Sequence, residues 1–287
     1  MKKLTKWKRK LSKKWEACKS FLQDQLFYLK KFSLKLLQVG FNTLVFLTQV
    51  TLITVLFVVI FLFAERAHEK YIEHKVGSQV VFIRSMPDSP LQGSATGFQI
   101  VAKSGKTFIL TNAHVCALRN NDNMLKVQEK SNTGRFIPRR VVEVYEANDL
   151  CLVEGLEGYE GLKLGKAPQV SDKLVTIGYP LGQGMHISSG RIKAFAKVDI
   201  AVDIPIVQCK GDRLQILKIN YFFFIQEVCL KRHNAVMTDI LTYPGNSGSP
   251  AVDYLGNVVG IVFASDNTTH WGILVVFEDI KKLLDAY

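Results

Sequence analysis

The longest apolar stretch of the chain runs from Val39 to Ala64, 26 residues without one charged side chain. A helix of about 20 apolar residues already crosses the hydrocarbon core of a bilayer, so residues 39–64 predict one transmembrane helix with room to tilt. A cleaved signal peptide usually has a short basic region and an apolar core of roughly 7 to 15 residues. Because both parts are longer here, we expect a retained anchor.

Residues 1–38, which precede the anchor, carry apolar side chains at a helical spacing with Lys and Arg between them. The period is roughly 3.6 residues, as on one face of an α-helix. We expect a basic amphipathic arm that lies on anionic lipid at the inner face of the membrane. An ordinary juxtamembrane helix or a coiled-coil partner is the alternative. The apolar positions are Leu4, Trp7, Leu11, Trp15, Cys18, Leu22, Leu26, Leu29, Phe32 and Leu36.

Residues 76–287, which follow a short mixed-charge stalk at 65–75, consist of brief apolar runs separated by Gly, Pro, Asn and Asp. This pattern is typical of an all-β sandwich or barrel. A single helix closes the chain at 279–287, where Ile280, Leu283 and Leu284 share one face. The expected strands are Gln79–Ile83, Gly97–Ala102, Phe108–Leu110, Arg140–Tyr145, Leu150–Val153, Lys173–Ile177, Ile187–Phe195, Ala251–Asp253, Val258–Phe263 and Gly272–Val276.

The formal charge of +12 is concentrated at the N-terminus, because residues 1–36 hold 12 Lys and Arg against 2 acidic residues. The remainder of the chain is nearly balanced, which argues against a basic nucleic-acid-binding face on the folded domain. Lys and Arg resist translocation, so we expect the N-terminus in the cytoplasm. The domain after the anchor is then expected outside it, in a periplasm or the extracellular space.

Five cysteines stand at 18, 116, 151, 209 and 229, and the last four lie on the expected outer side, where disulfides persist. Four thiols permit three pairings. Cys209 and Cys229 flank an expected hairpin turn around Gly211 and Asp212 and could face one another, but small buried thiols are an equal alternative. No CxxC spacing or Cys/His cluster occurs, so we expect no metal and no cofactor.

The most informative segment for chemistry is Gly245-Asn246-Ser247-Gly248-Ser249-Pro250. Flanking glycines allow a turn that exposes a serine hydroxyl and directs backbone N–H groups at a developing oxyanion. We assign the oxyanion hole to Gly245, Asn246 and Ser247, with the N–H groups of Gly245 and Ser247 as donors. Taken alone, such a turn is usually only a loop.

Two further residues make the serine turn informative. His114 follows the expected strand Phe108–Leu110, where its imidazole could accept the serine proton. Asp149 begins another apolar strand, where its carboxylate could orient that imidazole. In α/β-hydrolases the order is Ser, then Asp or Glu, then His, on alternating βα units. The order His114, Asp149, Ser247 on a β-rich chain is that of the chymotrypsin arrangement.

These segments resemble the trypsin-like peptidases, and within them the HtrA (Deg) group of envelope proteases. The resemblance implies two perpendicular six-stranded β-barrels with the triad His114, Asp149 and Ser247 in the cleft between them, protein or peptide substrates, and a homotrimer as one option. The matching segments are Ala95-Thr96-Gly97-Phe98, Leu110-Thr111-Asn112-Ala113-His114-Val115, Asn148-Asp149-Leu150, Ile177-Gly178-Tyr179-Pro180-Leu181-Gly182, Ser189-Gly190, and Thr238-Asp239 through Tyr243-Pro244-Gly245-Asn246-Ser247-Gly248.

The sequence departs from the group in three places. Most members continue into PDZ domains, whereas this sequence stops at Tyr287. Ser249 replaces a usual glycine, a change that should not remove the oxyanion hole. Residues 199–235 are longer than expected and include the run Tyr221–Phe224. This insertion is interpreted as an elaborated hairpin, a trimer contact, a membrane-facing surface or a plain buried strand.

By the same resemblance, the pocket for the residue before the scissile bond involves two segments. Relatives that cleave after Lys or Arg carry Asp six residues before the nucleophile, where this chain has Leu241; we therefore expect a preference for small or medium aliphatic residues. Asn246 replaces the Asp that pairs with a freed N-terminus in secreted relatives, so we expect no propeptide cleavage. A non-catalytic scaffold or a peptide-binding module at the membrane is the alternative function. The pocket residues are Leu241, Thr242, Tyr243, Val262, Phe263, Ala264 and Ser265.

Overall fold

The computed structural model describes residues 2–128, 134–202, 209, 214–221, 224–266 and 268–287. The chain forms two compact units, Met1–Ala67 and His68–Tyr287. One helix, α1, runs over Lys2–Gly77. The side chains of residues 1–18 and 21–22 lie outside the described residues, so the amphipathic face of the arm stays a prediction.

The apolar part of α1 has the features of a membrane-spanning helix. It is long and apolar enough to cross a membrane by length and composition, and every side chain from 39 to 64 is exposed. Four threonine hydroxyls in this part donate to carbonyls three or four residues earlier, so these polar groups are satisfied within the helix. The four are Thr43, Thr48, Thr51 and Thr54, with donor–acceptor distances of 2.7–2.9 Å.

The expected stalk at 65–75 is helical, and its last residues belong to the β-rich unit. Ile72 and Val76 are fully buried in the core of that unit. The His68 ring stacks on Tyr254 with centroids 3.6 Å apart, and its Nε2 lies 2.8 Å from the Tyr254 carbonyl oxygen. Ile72 and Val76 have the i, i+4 spacing of one helix face. The charged residues around them kept this spacing from predicting their burial.

The first part of the β-rich unit is a closed barrel of six antiparallel strands. Its strands carry β-branched and aromatic residues whose alternate side chains fill the interior, as Ile83 and Ile109 do, whereas Phe98 and Ile100 lie on the opposite face, in a cluster with residues of the second β-sheet. In spatial order the barrel is β1-β2-β3-β6-β5-β4, and β4 pairs again with β1. The strands are β1 Val80–Arg84, β2 Ser94–Val101, β3 Thr107–Thr111, β4 Met124–Gln128, β5 Phe136–Tyr145 and β6 Leu150–Glu154.

The second part is a seven-stranded antiparallel sheet in the order β13-β12-β11-β7-β8-β10-β9. An additional pairing of β13 with β10 joins six of these strands into a ring and leaves β9 outside it, attached to β10. The strands are β7 Lys173–Gly178, β8 His186–Val202, β9 Leu214–Tyr221, β10 Phe224–Leu241, β11 Pro250–Val252, β12 Val258–Ser265 and β13 Trp271–Val275. The expected two-barrel fold is confirmed.

Two short helices complete the unit. The helix α2 spans Ala113–Cys116, and α3 spans Phe277–Asp285, which confirms the expected closing helix. The face of α3 with Ile280, Leu283 and Leu284 is buried in the same core cluster as Phe108 of the first barrel and Val275 of the second. One buried cluster therefore contains residues of both barrels, in addition to the separate cluster that each barrel has.

Three strands were not predicted from the sequence. β4 is short and mixed in polarity, and β9 and β10 belong to the insertion at 199–235, where polar residues such as Gln226, Arg232 and Asn234 break the apolar alternation. β10 pairs with β8 over Cys229–Thr238 and with β9 over Phe224–Lys231, so the insertion is an elaborated hairpin. Phe222 and Phe223 of its aromatic run lie outside the described residues.

Disulfide bonds join Cys116 to Cys151 and Cys209 to Cys229. The second pair is the one that the sequence analysis considered, although Gly211 and Asp212 lie outside the described residues. The first pair links α2 to β6, the elements that carry His114 and follow Asp149. Both of its cysteines are fully buried.

Candidate active site

The histidine is presented by a short helix at the end of a buried strand. β3 ends at Thr111, and α2 begins two residues later with Ala113. The residues around the histidine are buried, whereas half of the His114 side chain is exposed toward solvent. Its backbone is therefore fixed by the core, while its ring stays accessible to a substrate.

His114 and Asp149 are joined by three hydrogen bonds. The Nδ1 atom of His114 lies 2.8 Å from Oδ2 and 3.1 Å from Oδ1 of Asp149. The backbone N–H of His114 donates to the same Oδ1 at 3.0 Å. A carboxylate on Nδ1 selects the tautomer in which Nε2 is free to accept a proton.

The backbone at Asp149 adopts a conformation that non-glycine residues rarely use. A short 3₁₀ turn over Glu146–Asn148 ends at Asp149 with φ 53° and ψ 46°, the left-handed region that Asp tolerates better than most residues. The buried side chain of Asn112 donates to the Asp149 carbonyl oxygen at 3.0 Å. This bond and the nearby Cys116–Cys151 disulfide hold the strained residue beside His114.

The turn around Ser247 is fixed by four consecutive carbonyl groups, each of which accepts a backbone or side-chain hydrogen bond. Gly245 and Gly248 have φ angles of +96° and +84°, which require glycine at both ends of the turn. The donors and acceptors are Leu181 N–H to Pro244 O (2.6 Å), Thr96 Oγ1–H to Gly245 O (2.8 Å), Ser249 N–H to Asn246 O (2.9 Å) and Thr96 N–H to Ser247 O (2.9 Å).

Two backbone donors of this turn have no acceptor in the part of the protein that the structure describes: the N–H groups of Gly245 and Ser247. They are the two that the sequence analysis assigned to the oxyanion hole. The N–H of Asn246, by contrast, donates to Tyr243 O at 3.0 Å and is turned away. Free, fixed N–H groups beside a serine hydroxyl are what stabilises a developing oxyanion.

The serine turn lies directly against the strand that leads to His114. A Cβ added to Gly248 would stand 1.9 Å from the Thr96 carbonyl oxygen and 2.3 Å from Thr111 Oγ1. Among the described contacts, the Ser247 hydroxyl makes no hydrogen bond to His114. In free enzymes such a contact is often long and shortens only when a substrate is bound.

The expected pocket residues divide into a buried and an exposed group. Thr242 and Val262 are buried beneath the site, and Val262 O accepts the Gly248 N–H at 2.8 Å. Leu241 and Tyr243 are exposed at its surface. Phe263, Ala264 and Ser265 continue β12 away from the serine turn, with Phe263 buried and the other two half-buried.

The pocket segments are bridged by the loop before β13, which sequence reasoning did not identify. Thr242 N–H donates to His270 O at 2.9 Å, and the Tyr243 and His270 rings have centroids 5.4 Å apart. A Cβ on Gly272 would stand 2.9 Å from Thr242 Cγ2. His270 has a φ of +57°, and no sequence motif indicates this position.

Tyr179 of the expected motif Ile177–Gly182 is buried between the barrels. Its ring packs on Phe82 with centroids 4.9 Å apart, and its N–H donates to Thr96 Oγ1 at 3.0 Å. Its hydroxyl is buried without a hydrogen-bond partner in the described structure. Burial, followed by the charge of Tyr159, raises the pKa of Tyr179 to about 12.

Residues 95–261 match the family described as the trypsin-like peptidase domain, and they make up more than half of the chain. Protease Do-like 2, chloroplastic, of Arabidopsis thaliana is 26% identical over 204 residues, 68% of this chain and 28% of that protein. The periplasmic serine endoprotease DegP of Salmonella typhimurium is 28% identical over 171 residues, 58% of this chain and 29% of that protein. The chain thus spans less than a third of the length of these two relatives.

Two solved structures have the same fold. The Rv3671c protease of M. tuberculosis in its active form has a TM-score of 0.56 at 19% identity, covering 74% of this chain and 82% of its own. The HtrA-type protease AlgW with a tripeptide has a TM-score of 0.53 at 19% identity, covering 75% of this chain and 62% of its own.

Proposed function

Since the chain belongs to the trypsin-like peptidase family, we propose that it is a membrane-anchored serine endopeptidase with His114, Asp149 and Ser247 as its triad. Two observations carry this proposal: Ser247 lies in a turn with two free backbone N–H groups, and the Nδ1 of His114, three residues after the strand that the turn contacts, is bonded to a carboxylate. Gly245 and Ser247 are half-buried, so their N–H groups stay open to an acceptor on a substrate.

The proposed reaction follows from this arrangement. His114 Nε2 accepts the Ser247 proton as Oγ attacks the carbonyl carbon of a peptide bond, and Asp149 stabilises the imidazolium that forms. The oxyanion that forms accepts hydrogen bonds from the N–H groups of Gly245 and Ser247. His114 then donates its proton to the leaving amine, which leaves an acyl-enzyme. Water, deprotonated by His114, hydrolyses this ester and regenerates the serine.

The proposed substrates are proteins or peptides with a small or medium aliphatic residue before the scissile bond. Leu241 contributes no charge that could pair with Lys or Arg, and Phe263 and Ala264 are apolar. The name of the Salmonella relative, a periplasmic serine endoprotease, supports proteolysis in the cell envelope. Within that setting, protein quality control or regulated proteolysis is the role we propose. A peptide-library profile dominated by cleavage after Lys or Arg would contradict this specificity.

The proposed anchor is residues 39–64, with the arm in the cytoplasm and residues 68–287 on the opposite side. The exposed apolar side chains of the anchor, the basic arm and the two disulfides all support this topology. Protease added to sealed cells or vesicles of known orientation should reach residues 68–287 only from the outer side. Digestion from the cytoplasmic side would contradict it. Contact of the arm with lipid and a homotrimer stay predictions.

Covalent labelling by a fluorophosphonate tests the enzymatic proposal against a scaffold or peptide-binding module. The full chain in detergent or membranes should be labelled on Ser247, because the probe needs an activated serine beside an oxyanion hole. Ser247→Ala should abolish the label, and Ser249→Ala, two residues away, should keep it. An unlabelled but folded chain would favour the non-catalytic alternative.

A further inference from the structure

Thr96, a residue of the first barrel, bonds to the serine turn through both its backbone and its side chain. It lies in β2, is fully buried, and uses every polar group it has. Its N–H donates to Ser247 O at 2.9 Å, and its carbonyl oxygen accepts the Thr111 hydroxyl at 2.7 Å. Its own hydroxyl stands between the Tyr179 N–H, at 3.0 Å, and the Gly245 carbonyl oxygen, at 2.8 Å.

The direction of the hydrogen bonds through this hydroxyl is fixed by its partners. A backbone N–H can only donate and a carbonyl oxygen can only accept. The Thr96 oxygen must therefore accept from Tyr179, and its single proton must point to Gly245. The hydroxyl is therefore held in one orientation, in which it donates to Gly245 O of the second barrel.

The bond to Gly245 O holds the peptide group that directly follows the one that supplies an oxyanion donor. Glycine rotates freely, so nothing in Gly245 itself holds its N–H toward the cleft. In a trans peptide the C=O and N–H point in opposite directions. The bond from Leu181 N–H to Pro244 O therefore turns the Gly245 N–H outward, and the bond from Thr96 fixes the next peptide at Gly245 O.

We propose that the Thr96 hydroxyl is a positioning group for the oxyanion hole: it holds Gly245 so that its N–H stays directed at the developing oxyanion. This inference rests on the proposed function, and Thr96 acts through Gly245 without contacting the substrate. Residues from both barrels would then be needed to position one donor. The oxyanion hole would therefore depend on the packing of the first barrel against the second.

Thr96→Val tests this, because valine has the shape of threonine but cannot bond to Gly245 or Tyr179. Loss of a whole oxyanion donor costs about 10² to 10³ in kcat. A donor that is present but loosely held should cost about 10-fold to 100-fold in kcat, with KM changed less than about twofold. Thr96→Ser, which keeps the hydroxyl, should recover most of the rate.

The matched control is Thr176→Val. Thr176 is also a buried strand threonine, in β7, but its hydroxyl has no hydrogen-bond partner in the described structure. Its replacement should leave kcat within about twofold of the parent. Thermal unfolding of both variants should be measured beside activity, and Thr96→Ala replaces Thr96→Val if the latter does not fold.

A peptide boronate distinguishes positioning from general loosening, because its tetrahedral adduct uses the oxyanion hole. Its Ki should rise in Thr96→Val by the same factor as kcat/KM falls. Turnover and boronate affinity at parent level in a folded Thr96→Val, with Ser247→Ala still inactive, would overturn this inference and leave the proposed function intact. A parent chain without turnover or labelling would overturn both.

Discussion

The carboxylate of Asp149 holds His114 at two points: it accepts one hydrogen bond from the imidazole Nδ1, at 2.8 Å, and one from the backbone N–H, at 3.0 Å. The first contact sets the tautomer of the ring, and the second fixes the main chain from which the ring projects. One side chain thus controls both the chemistry and the location of the proposed general base.

Asp149→Asn should separate these two functions. An amide of the same shape can keep one contact to the backbone N–H, but it cannot stabilise an imidazolium and can favour the wrong tautomer. The expected loss is about 10⁴ in kcat, by analogy with the same change in other triads. Steady-state kinetics beside a thermal unfolding curve provides the measurement. A folded variant with more than a tenth of the parent kcat would contradict the role of Asp149.

Removal of the Cys116–Cys151 disulfide should affect both stability and activity. The bond closes a loop over a sequence separation of 35 and joins the elements next to His114 and Asp149. The double change Cys116→Ala and Cys151→Ala should lower the free energy of unfolding by about 2 to 5 kcal/mol. It should also lower kcat, because the His114–Asp149 contact loses a constraint.

The control for that prediction is the double change Cys209→Ala and Cys229→Ala. This disulfide joins Cys209 to β10 in the elaborated hairpin and links neither α2 nor β6, although Lys231 of β10 donates to the Glu146 carbonyl oxygen in the turn before Asp149. It should cost stability with a smaller effect on kcat. Equal losses of kcat from the two double variants would indicate that neither bond acts on the triad directly.

Tyr179 provides a prediction about stability at high pH. Its pKa is about 12 in the folded protein, because burial disfavours the phenolate, while a tyrosine of the unfolded chain titrates near 10. Between these values the unfolded state loses a proton that the folded state keeps, so stability should fall as the pH rises from 10 to 12.

Tyr179→Phe removes that contribution and an unpaired buried hydroxyl together. At pH 7 the variant should be as stable as the parent or slightly more stable, because no hydrogen bond is lost. Chemical unfolding at several pH values should show a shallower loss above pH 10 for the variant. Parallel curves for the two proteins would contradict the buried, neutral state of Tyr179.

The last turns of α1 should be required for a stable protease domain. Ile72 and Val76 are fully buried, and the helix end packs on the turn Tyr254–Gly256 between β11 and β12. Truncation of a buried isoleucine to alanine costs about 2 to 5 kcal/mol. A fragment of residues 65–287 should therefore unfold at a distinctly higher temperature than one of residues 78–287.

Ile72→Ala in the longer fragment should reproduce part of that loss, whereas Glu73→Ala, on the exposed side, should change little. Equal unfolding temperatures for the two fragments would show that the helix end contributes no stability.

The sequence predicted the features whose signals are local. The order of His114, Asp149 and Ser247, each in a short motif at a strand end, predicted the fold, which is confirmed, without any long-range information; their catalytic roles stay a proposal. The exposed stretch 39–64 and the apolar face of α3 were equally readable, because each is periodic within a single element.

Features that depend on distant partners were not predictable in this way. Thr96 bonds to Gly245 across 149 positions of the chain, and nothing in its own neighbourhood indicates that contact. β10 was missed because its pairing with both β8 and β9 tolerates polar residues that break the alternation. Ile72 was assigned to a stalk because the charged residues around it outweighed its i, i+4 spacing to Val76, the first residue of the predicted domain.

The central claim, that Ser247 and His114 act as one catalytic unit, is tested most directly by the turnover of the two single variants and the double variant. Ser247→Ala and His114→Ala should each lower kcat on a peptide or casein substrate by about 10⁶, and the double variant should be scarcely worse. All three should unfold near the parent temperature, because both side chains are partly exposed. A folded Ser247→Ala variant that cleaved substrate at the parent rate would contradict the account.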